Sequence, residues 1–396
     1  MKKFEELGLI EPILKAIDEE KFEEPTEVQA QAIPKILKGK DILAGSATGS
    51  GKTLAFGAGI IQNSTKGEGI QALILTPTRE LAEQIKKALK IFCKYKPLDI
   101  TAVYGGVPID RQFRRLKEAD IVVGTPGRIL DHLQRNTINL IKIKTLVLDE
   151  ADRMLDMGFI DDVEKIIKNT PKKRQTLLFS ATISGMLEHI IKRYLVDPVK
   201  VDVESYVDPS KLRQVYYDVE DNLKFSLLVH LLKKERSGLV MVFCNTRSAT
   251  DFVVNNLIGN GIEAEAIHGG FTQAKRSKVM EHFHGEKALI LVCTDVAARG
   301  LDIPHVSHVY NFDLPEDNKD YIHRVGRTAR AGHEGIAVNI LGSRDHDAFG
   351  RILANHDIRV DKEPTPRIEK AKIVWRQPPK QFRNIRSKWT TKKRRH

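Results

Sequence analysis

At 396 residues, 41% of them hydrophobic, the chain can bury two cores of ordinary size, and two main domains are expected. Its first residues, Met1-Lys2-Lys3-Phe4-Glu5-Glu6, hold no apolar signal core, and no run reaches the ~18 apolar residues of a membrane helix, so a soluble, cytoplasmic protein with no membrane partner is expected. The net charge of +12 is uneven: from Pro366 onward twelve lysines and arginines face Glu369 alone, which leaves the rest of the chain close to neutral.

Residues Glu5 to Glu20 read as an amphipathic helix, and a second helix runs to Leu37 after Phe22-Glu23-Glu24-Pro25-Thr26-Glu27-Val28-Gln29. The apolar run Ile42-Leu43-Ala44 leads into Ser46-Ala47-Thr48-Gly49-Ser50-Gly51-Lys52-Thr53, and a helix-compatible segment follows from Leu54 to Ile61. Strand, glycine loop and helix in that order turn backbone N–H groups and a helix N-terminus toward a phosphate chain. Ser46 stands where the motif's first glycine usually falls, but Gly49 and Gly51 supply the freedom the turn needs. Lys52 would reach the β- and γ-phosphates, and the Thr53 hydroxyl would ligate Mg²⁺. Beside such a loop Gln29 becomes a base reader, because a carboxamide offers together the donor and acceptor that the edges of adenine require.

The apolar runs Ala72–Leu75, Ile121–Val123, Thr145–Leu148 and Thr176–Phe179 read as buried parallel strands separated by segments of helical period. Alternation of this kind implies a parallel sheet covered on both faces, with ligands at the strands' carboxyl ends. The polar stretches found there are Thr76-Pro77-Thr78-Arg79-Glu80-Leu81-Ala82, Thr125-Pro126-Gly127-Arg128, Asp149-Glu150-Ala151-Asp152 and Ser180-Ala181-Thr182. Asp149 follows Leu146-Val147-Leu148, where a nucleotide-binding sheet places its second Mg²⁺ carboxylate, and Glu150 beside it would orient or deprotonate the attacking water.

The pattern weakens between Asp202 and Lys211, a linker, and resumes with Val240–Phe243, Ala264–Ile267, Leu289–Val292, Val306–Tyr310 and Ile336–Ile340. Leu73-Ile74-Leu75-Thr76-Pro77-Thr78-Arg79 is echoed by Met241-Val242-Phe243-Cys244-Asn245-Thr246-Arg247, which reads as a duplicated α/β domain with a phosphate loop in the first copy only. A nucleotide would then be held by the first copy and completed by the second. In His323-Arg324-Val325-Gly326-Arg327-Thr328-Ala329-Arg330, Arg327 and Arg330 share a face. Positive charge brought to the transferring phosphoryl group from a second domain makes catalysis conditional on domain closure. Cys93, Cys244 and Cys293 are far apart in or beside apolar runs and form no C-x-x-C pair, which suggests buried core thiols and neither a metal site nor a disulfide framework.

Taken from Phe22 to Arg330, these motifs resemble those of a DEAD-box RNA helicase in the family's order. The resemblance implies an α/β fold of two tandem RecA-like domains, each a parallel sheet flanked by helices. It divides the chain into residues 1–204 with an adenine-reading element at 4–32, a linker at 205–211, a second domain at 212–365 and a basic tail at 366–396, disordered or RNA-binding. ATP and Mg²⁺ are implied. Phe22 then stacks on adenine, Gln29 reads its edge and Thr26 supports that contact, while Thr48, Gly49, Ser50, Gly51, Lys52 and Thr53 form the phosphate loop. Within Thr294-Asp295-Val296-Ala297-Ala298-Arg299-Gly300-Leu301-Asp302, Asp295 holds the ribose and Gly300 lies near the phosphates, with Asp302 in the same motif. Lys52, Asp149, Glu150, Arg327 and Arg330 carry catalysis. Ser180 and Thr182, together with His323, couple hydrolysis to strand separation.

The same resemblance assigns RNA-backbone contacts to Pro77, Thr78, Arg79, Gly105, Gly106, Thr125, Pro126 and Arg128 in the first domain, and to Arg247, Gly270, Gln273 and Thr294 in the second. Hydroxyls, arginines and glycines suit phosphate and sugar, so binding is expected to ignore base identity and to prefer RNA through its 2′-OH. The sequence departs from the family at Lys21, where glycine usually precedes the aromatic, at Ser46-Ala47 for Ala-Gln, and at Ala329 for a glycine between the arginines. The tail places Trp375, Phe382 and Trp389 among its basic residues, a mixture that suits single-stranded RNA and also a localisation signal. The expectation is a monomeric RNA-dependent ATPase that locally unwinds short duplexes or remodels RNA–protein complexes. Its rivals are an ATP-gated RNA clamp or annealing chaperone with little unwinding, and a DNA helicase with the same core.

Overall fold

The computed structural model describes residues 3–45, 50–183, 185–202, 211–234, 238–285, 289–298, 303, 306–329, 334–354 and 358–374. Ser46 to Gly49 of the phosphate loop, linker residues 205–210, Arg299 to Asp302, Arg330 and the tail from Trp375 onward lie outside the described residues.

Two parallel sheets, each of seven strands among the described residues, form the framework. The first contains β1 (Ile42–Gly45), β2 (Ala72–Leu75), β3 (Ile100–Val103), β4 (Ile121–Gly124), β5 (Thr145–Leu148), β6 (Gln175–Ser180) and β7 (Val199–Asp202), in the order β3-β4-β2-β5-β6-β1-β7. The second contains β8 (Leu212–Asp218), β9 (Leu239–Phe243), β10 (Glu265–Ile267), β11 (Ile290–Cys293), β12 (Val306–Asn311), β13 (Gly335–Leu341) and β14 (Asp361–Lys362), in the order β10-β11-β9-β12-β13-β8-β14. Strand for strand the two orders are the same, so the duplication read from one short echo extends to the whole topology. The chain is a pair of RecA-like α/β domains.

Strands β2, β4, β5 and β6 are buried along their length because helices cover both faces. On one face of the first sheet the core gathers Ile33, Phe56, Ile85 and Phe179; on the other, Ile129, Met154, Ile166 and Ile190. The three cysteines are free and buried, and burial pushes the Cys93 thiol up to about 12. No helix among the described residues is long and apolar enough to cross a membrane.

The amphipathic helix expected from Glu5 to Glu20 is instead a 3₁₀ turn at Phe4–Leu7 and an α-helix at Glu11–Glu19. Gly8, at φ +83°, ends the first element, and Pro12 in the first turn of the second begins it afresh. Strands β3, β7, β8 and β14 have no counterpart among the runs read from sequence. Ile-Thr-Ala-Val, Val-Lys-Val-Asp and Leu-Arg-Gln-Val-Tyr-Tyr-Asp lack the unbroken apolar run of a central strand, and β14 is a two-residue pairing on β8.

The stretch Thr365–Val374 is docked on the second domain. Ile368, Ala371 and Ile373 pack against its core, and the backbone N–H groups of Ala371, Lys372 and Val374 donate to Ser226, Asn260 and Asn256. A boundary at Pro366 therefore falls inside an attached strap.

Candidate nucleotide site and nucleic-acid cleft

The carboxyl edge of the first sheet divides in two. Reading along it, the segments after β3, β4 and β2 are Tyr104–Val107, Thr125–Arg128 and Thr76–Glu80, and those after β5, β6 and β1 are the acidic run, Ser180–Thr182 and the phosphate loop. The first three are the segments expected to hold nucleic acid and the last three those expected to hold ATP.

On the ATP side, Gly51 takes φ +86° as the N-cap of the helix Lys52–Asn63. A Cβ there would lie 2.4 Å from Gln29 Nε2, so glycine is needed for the loop to pass under that side chain. Gln29 is 5% exposed: its Nε2 donates to the Gly51 carbonyl at 3.0 Å, and its Oε1 accepts from the Thr26 N–H at 3.0 Å. Thr26 Oγ1 donates to the Ser50 carbonyl at 2.8 Å. The pair expected to read adenine is thus bonded directly to Ser50 and Gly51 of the phosphate loop, and these bonds leave Gln29 one N–H and one lone pair.

Phe22 is placed by its neighbour. Lys21, at φ +58°, lets its own N–H donate to the Asp18 carbonyl and that of Phe22 to Ile17, the two bonds of a Schellman cap. The Phe22 ring is left 48% exposed, 6.3 Å from Phe92 centroid to centroid. The family's glycine before the aromatic is explained by this left-handed position, which lysine occupies here.

Lys52 Nζ meets Asp149 Oδ1 at 3.2 Å, both buried. Burial raises the Asp149 carboxyl above its ordinary range against the pull of Lys52; burial opposes the Lys52 ammonium, but Asp149 and Glu150 hold its pKa above the usual value. Asp149 Oδ2 is buried with no hydrogen-bond partner among the described residues. An orphaned carboxylate oxygen, tied through the Lys52–Asp149 pair to the helix that opens with Lys52-Thr53, suits a hard divalent cation. Glu150, 7% exposed, sits at φ +51°, ψ +52°, a costly conformation for a residue with a Cβ and one that marks functional positions.

Asp152 joins the acidic run to the next strand. Its Oδ2 accepts from the N–H and hydroxyl of Thr182, each at 3.1 Å, while its own N–H donates to Ser180 Oγ at 3.2 Å. Ser180 Oγ donates onward to the Thr182 carbonyl at 2.6 Å.

On the other side, a cleft of about 430 Å³ lies between the domains. Pro77, Thr78, Arg79, Gly105, Thr125 and Arg128 line it from the first domain and Gln273 from the second, joined by Glu80, Gly269, Phe271 and Arg276. Gly106 lies beneath the Arg79 guanidinium, where a Cβ would be 2.0 Å from a guanidinium nitrogen. Arg247 repeats this with Gly269, at 3.2 Å. Each arginine opens a helix capped by the preceding threonine: Thr78 accepts from the Leu81 N–H and Thr246 from that of Ala249. Gly106, Pro126, Arg247, Gly270 and Thr294 do not line the cleft itself. Thr294, 8% exposed, directly follows β11, and Pro126 opens the helix Pro126–Gln134.

Side-chain hydrogen bonds span the domains. Glu80 Oε1 accepts from Arg276 Nε at 2.7 Å and from Gln273 Nε2 at 3.2 Å. A terminal nitrogen of Arg153 donates to Asp320 at 3.2 Å, and Lys319 Nζ to both oxygens of Asp156 at 2.9 Å. Arg153, His323, Arg324, Arg327 and Asp295 meet around one small interdomain pocket. His323 Nδ1 has no partner among the described residues, and burial, followed by the charges of Arg153 and Arg327, pushes its imidazole down to about 2. Asp295 is paired with Arg324, which donates Nε and a terminal nitrogen to its two oxygens at 2.6 Å each.

Sequence reasoning singled out neither Asp152, Glu80, Arg276 and Arg153 nor Arg324 for these roles. The Glu80 bonds join residues nearly two hundred positions apart and have no local sequence signal.

Two matching parallel sheets, a phosphate loop on one copy, adjacent acids after its β5 and, from the other copy, Arg324 and Arg327 meeting Arg153 at an interdomain pocket define a two-domain nucleoside triphosphatase of the helicase type. The model described as DEAD/DEAH box helicase matches residues 26–190, and that described as helicase conserved C-terminal domain matches 223–332. An ATP-dependent RNA helicase CshA of Limosilactobacillus reuteri is 45% identical over 372 residues, 93% of this chain and 75% of that protein. The DEAD-box ATP-dependent RNA helicase CshA of Bacillus subtilis is 42% identical over 371 residues, again 93% and 75%. Among solved structures, S. cerevisiae Dbp5 bound to RNA and ADP BeF3 superposes with a TM-score of 0.82 at 30% identity, covering 92% of this chain and 96% of that one. A DEAD box protein from Methanococcus jannaschii gives 0.56 at 41% identity, covering 91% and 99%. The chain belongs to the DEAD-box family of ATP-dependent RNA helicases, and is an ATP hydrolase of that kind.

Proposed function

We propose that the chain is an RNA-stimulated ATPase whose two domains, residues 1–204 and 212–365, close around ATP and RNA together and thereby open short duplexes or remodel RNA–protein complexes. The observation that carries this reading is the cleft shared by both domains and latched by Glu80 to Gln273 and Arg276. A strand that fills it touches both domains, so binding it and closing the enzyme are one event. The superposition on Dbp5 bound to RNA and ADP BeF3, at a TM-score of 0.82 over 92% of this chain, also supports a closed arrangement of the domains.

In this reading Phe22 stacks on adenine and Gln29 reads its edge with the N–H and lone pair left free. Ser50, Gly51, Lys52 and Thr53 cradle the phosphates with Thr48 and Gly49, Asp295 holds the ribose, and Gly300, in the same motif as Asp302, serves the phosphates. The Thr53 hydroxyl and Asp149 Oδ2 would hold Mg²⁺, which when bound offsets the phosphates' negative charge. Glu150 orients the water, Arg327 and Arg330 stabilise charge on the departing γ-phosphoryl group, and His323 with Ser180 and Thr182 transmits its loss. The loops after β2, β3 and β4 hold RNA backbone together with Arg247, Gly270, Gln273 and Thr294, and such contacts ignore base identity.

The test is steady-state ATP hydrolysis with and without single-stranded RNA, beside Arg327→Ala. Strong RNA stimulation that disappears in the variant is expected. Hydrolysis indifferent to both would overturn coupled closure, and stimulated turnover without strand separation on a short duplex would leave a clamp in place of a helicase.

A further inference from the structure

Gln112 belongs to none of the motifs above, yet it is 6% exposed and its carboxamide lies between two of the loops that face the cleft. Its Nε2 donates to the Tyr104 carbonyl at 3.0 Å, just before Gly105-Gly106. Its Oε1 accepts from Arg128 at 3.3 Å and lies 3.0 Å from His132 Nε2. The same Arg128 nitrogen also donates to the Val107 carbonyl at 3.1 Å. A carbonyl on one side and a guanidinium on the other fix which end of the amide is which, and they require His132 to donate through Nε2. Tyr104 is itself held from a third side, its hydroxyl donating to Glu83 at 2.7 Å on the helix Arg79–Phe92, whose first residue lies over Gly106.

We infer that Gln112 is a positioning residue for RNA, setting the spacing between the Gly105-Gly106 backbone and the Thr125–Arg128 loop so that both meet successive phosphates of one strand. This inference rests on the proposed RNA cleft. The three side-chain bonds converge on one planar group, and among the described residues no backbone pairing joins the two loops beyond Thr125 N–H to the Val103 carbonyl. A flexible spacing would leave each loop able to touch a phosphate but not both at once, which lowers affinity without altering the chemistry at the ATP side.

Gln112→Met keeps the length and removes all three bonds; Gln112→Glu keeps the two accepting interactions and loses only donation to Tyr104. The readout is ATPase activity titrated with oligouridine, repeated at several salt concentrations, with thermal melting of each protein alongside. The expected result is a half-saturating RNA concentration at least tenfold higher for Gln112→Met and intermediate for Gln112→Glu, with the maximal rate at saturating RNA within about twofold of wild type. The log–log salt slope should flatten by ~0.7 for each single-strand phosphate that the variant no longer neutralises. Unchanged RNA half-saturation and salt slope in folded variants, with only the melting temperature lowered, would overturn the inference and leave a structural amide. If Gln112→Met fails to fold, Gln112→Glu decides alone. Wild-type hydrolysis that ignores RNA would instead defeat the cleft reading itself.

Discussion

Glu80→Ala separates closure from simple charge attraction, because the two predict opposite signs. Glu80 is an anion lining a cleft proposed to bind a polyanion, so electrostatics alone predicts tighter RNA binding once it is removed. The structure predicts the reverse. Glu80 Oε1 accepts from Arg276 Nε and Gln273 Nε2 across the domain interface, and the Glu80 and Arg276 side chains are each only 11% exposed. Truncating one partner of a buried, hydrogen-bonded charge pair costs ~2–5 kcal/mol. Arg276 would keep its bond to the Ala297 carbonyl at 3.3 Å, which places the loss near the lower end, about 2–3 kcal/mol. At 1.4 kcal/mol per factor of ten this is roughly 30–150-fold. Where RNA binds only the closed form and the free enzyme is mainly open, the whole factor appears in the apparent RNA affinity.

The assay is anisotropy of a labelled oligouridine with a non-hydrolysable ATP analogue, paired with energy transfer between dyes on the two domains. Glu80→Ala should weaken RNA binding and lower the closed fraction together. A cycle with Arg276→Ala should show a coupling of at least ~1 kcal/mol. RNA binding that tightens, or a coupling within ~0.5 kcal/mol of zero, would refute the latch.

Further outcomes follow from local geometry. Glu150→Gln should bind ATP and RNA yet hydrolyse ~10²–10⁴-fold more slowly in single-turnover kinetics, because the water loses its base while Asp149 and Lys52 stay in place; normal turnover would remove Glu150 from that role. Lys21→Gly should stabilise the first domain by ~0.5–1 kcal/mol, seen as a higher melting temperature, because an exposed lysine there bears a left-handed backbone at φ +58°. Ala329→Gly, at φ +54°, should be close to neutral by the same measurement, since relief of strain is offset by loss of a methyl only 6% exposed. His132, fully buried beside Arg128, Asp131 and Arg135, is pushed down to about 4 by burial first and by Arg128 next. Its unfolded value is ~6.5, so between those values the unfolded chain binds more protons and stability falls as pH is lowered. Near pH 5 the loss is ~2 kcal/mol, measurable by urea unfolding at pH 7 and 5, and His132→Gln should flatten the dependence.

What the sequence made legible was whatever a short window contains. Ser50 to Thr53, the acids after β5 and the Ser-Ala-Thr run were each read from a strand, a turn and a few polar side chains, and those neighbourhoods survive folding intact. Strands at or next to a sheet edge, such as β7 and β8, were not legible, because Val-Lys-Val-Asp and Leu-Arg-Gln-Val-Tyr-Tyr-Asp are only partly buried and carry no strong apolar run. The break at Gly8 was lost because the apolar period of Phe4, Leu7, Ile13 and Ile17 is satisfied by two short helices as well as by one long one. Gln112 and Glu80 carried no signal at all: one is a glutamine on a basic helix, the other a first-turn acid, and their partners come from other loops and the other domain.

The link between the ATP and RNA sides lies where the two halves of the carboxyl edge meet, between β2 and β5. There the Asp149 N–H donates to the Leu75 carbonyl at 3.0 Å, so the proposed Mg²⁺ carboxylate and the Thr76–Glu80 loop leave adjacent, hydrogen-bonded strands. From that junction one path runs along the acids, through Asp152 to Ser180 and Thr182, and past Gly45, which pairs with Ser180, to the phosphate loop. The other runs through Thr78 and Glu80 to Gln273 and Arg276 in the second domain. In the proposed reading a γ-phosphate would fix the first path and an RNA strand the second, while the second domain meets both, through the pocket of Arg153, His323 and Arg327 and through the Glu80 latch. Losing either ligand would then release one of two attachments of the same domain. On that proposal, closure that requires both is a property of where β2 and β5 sit in the sheet, and no residue needs to contact ATP and RNA at once.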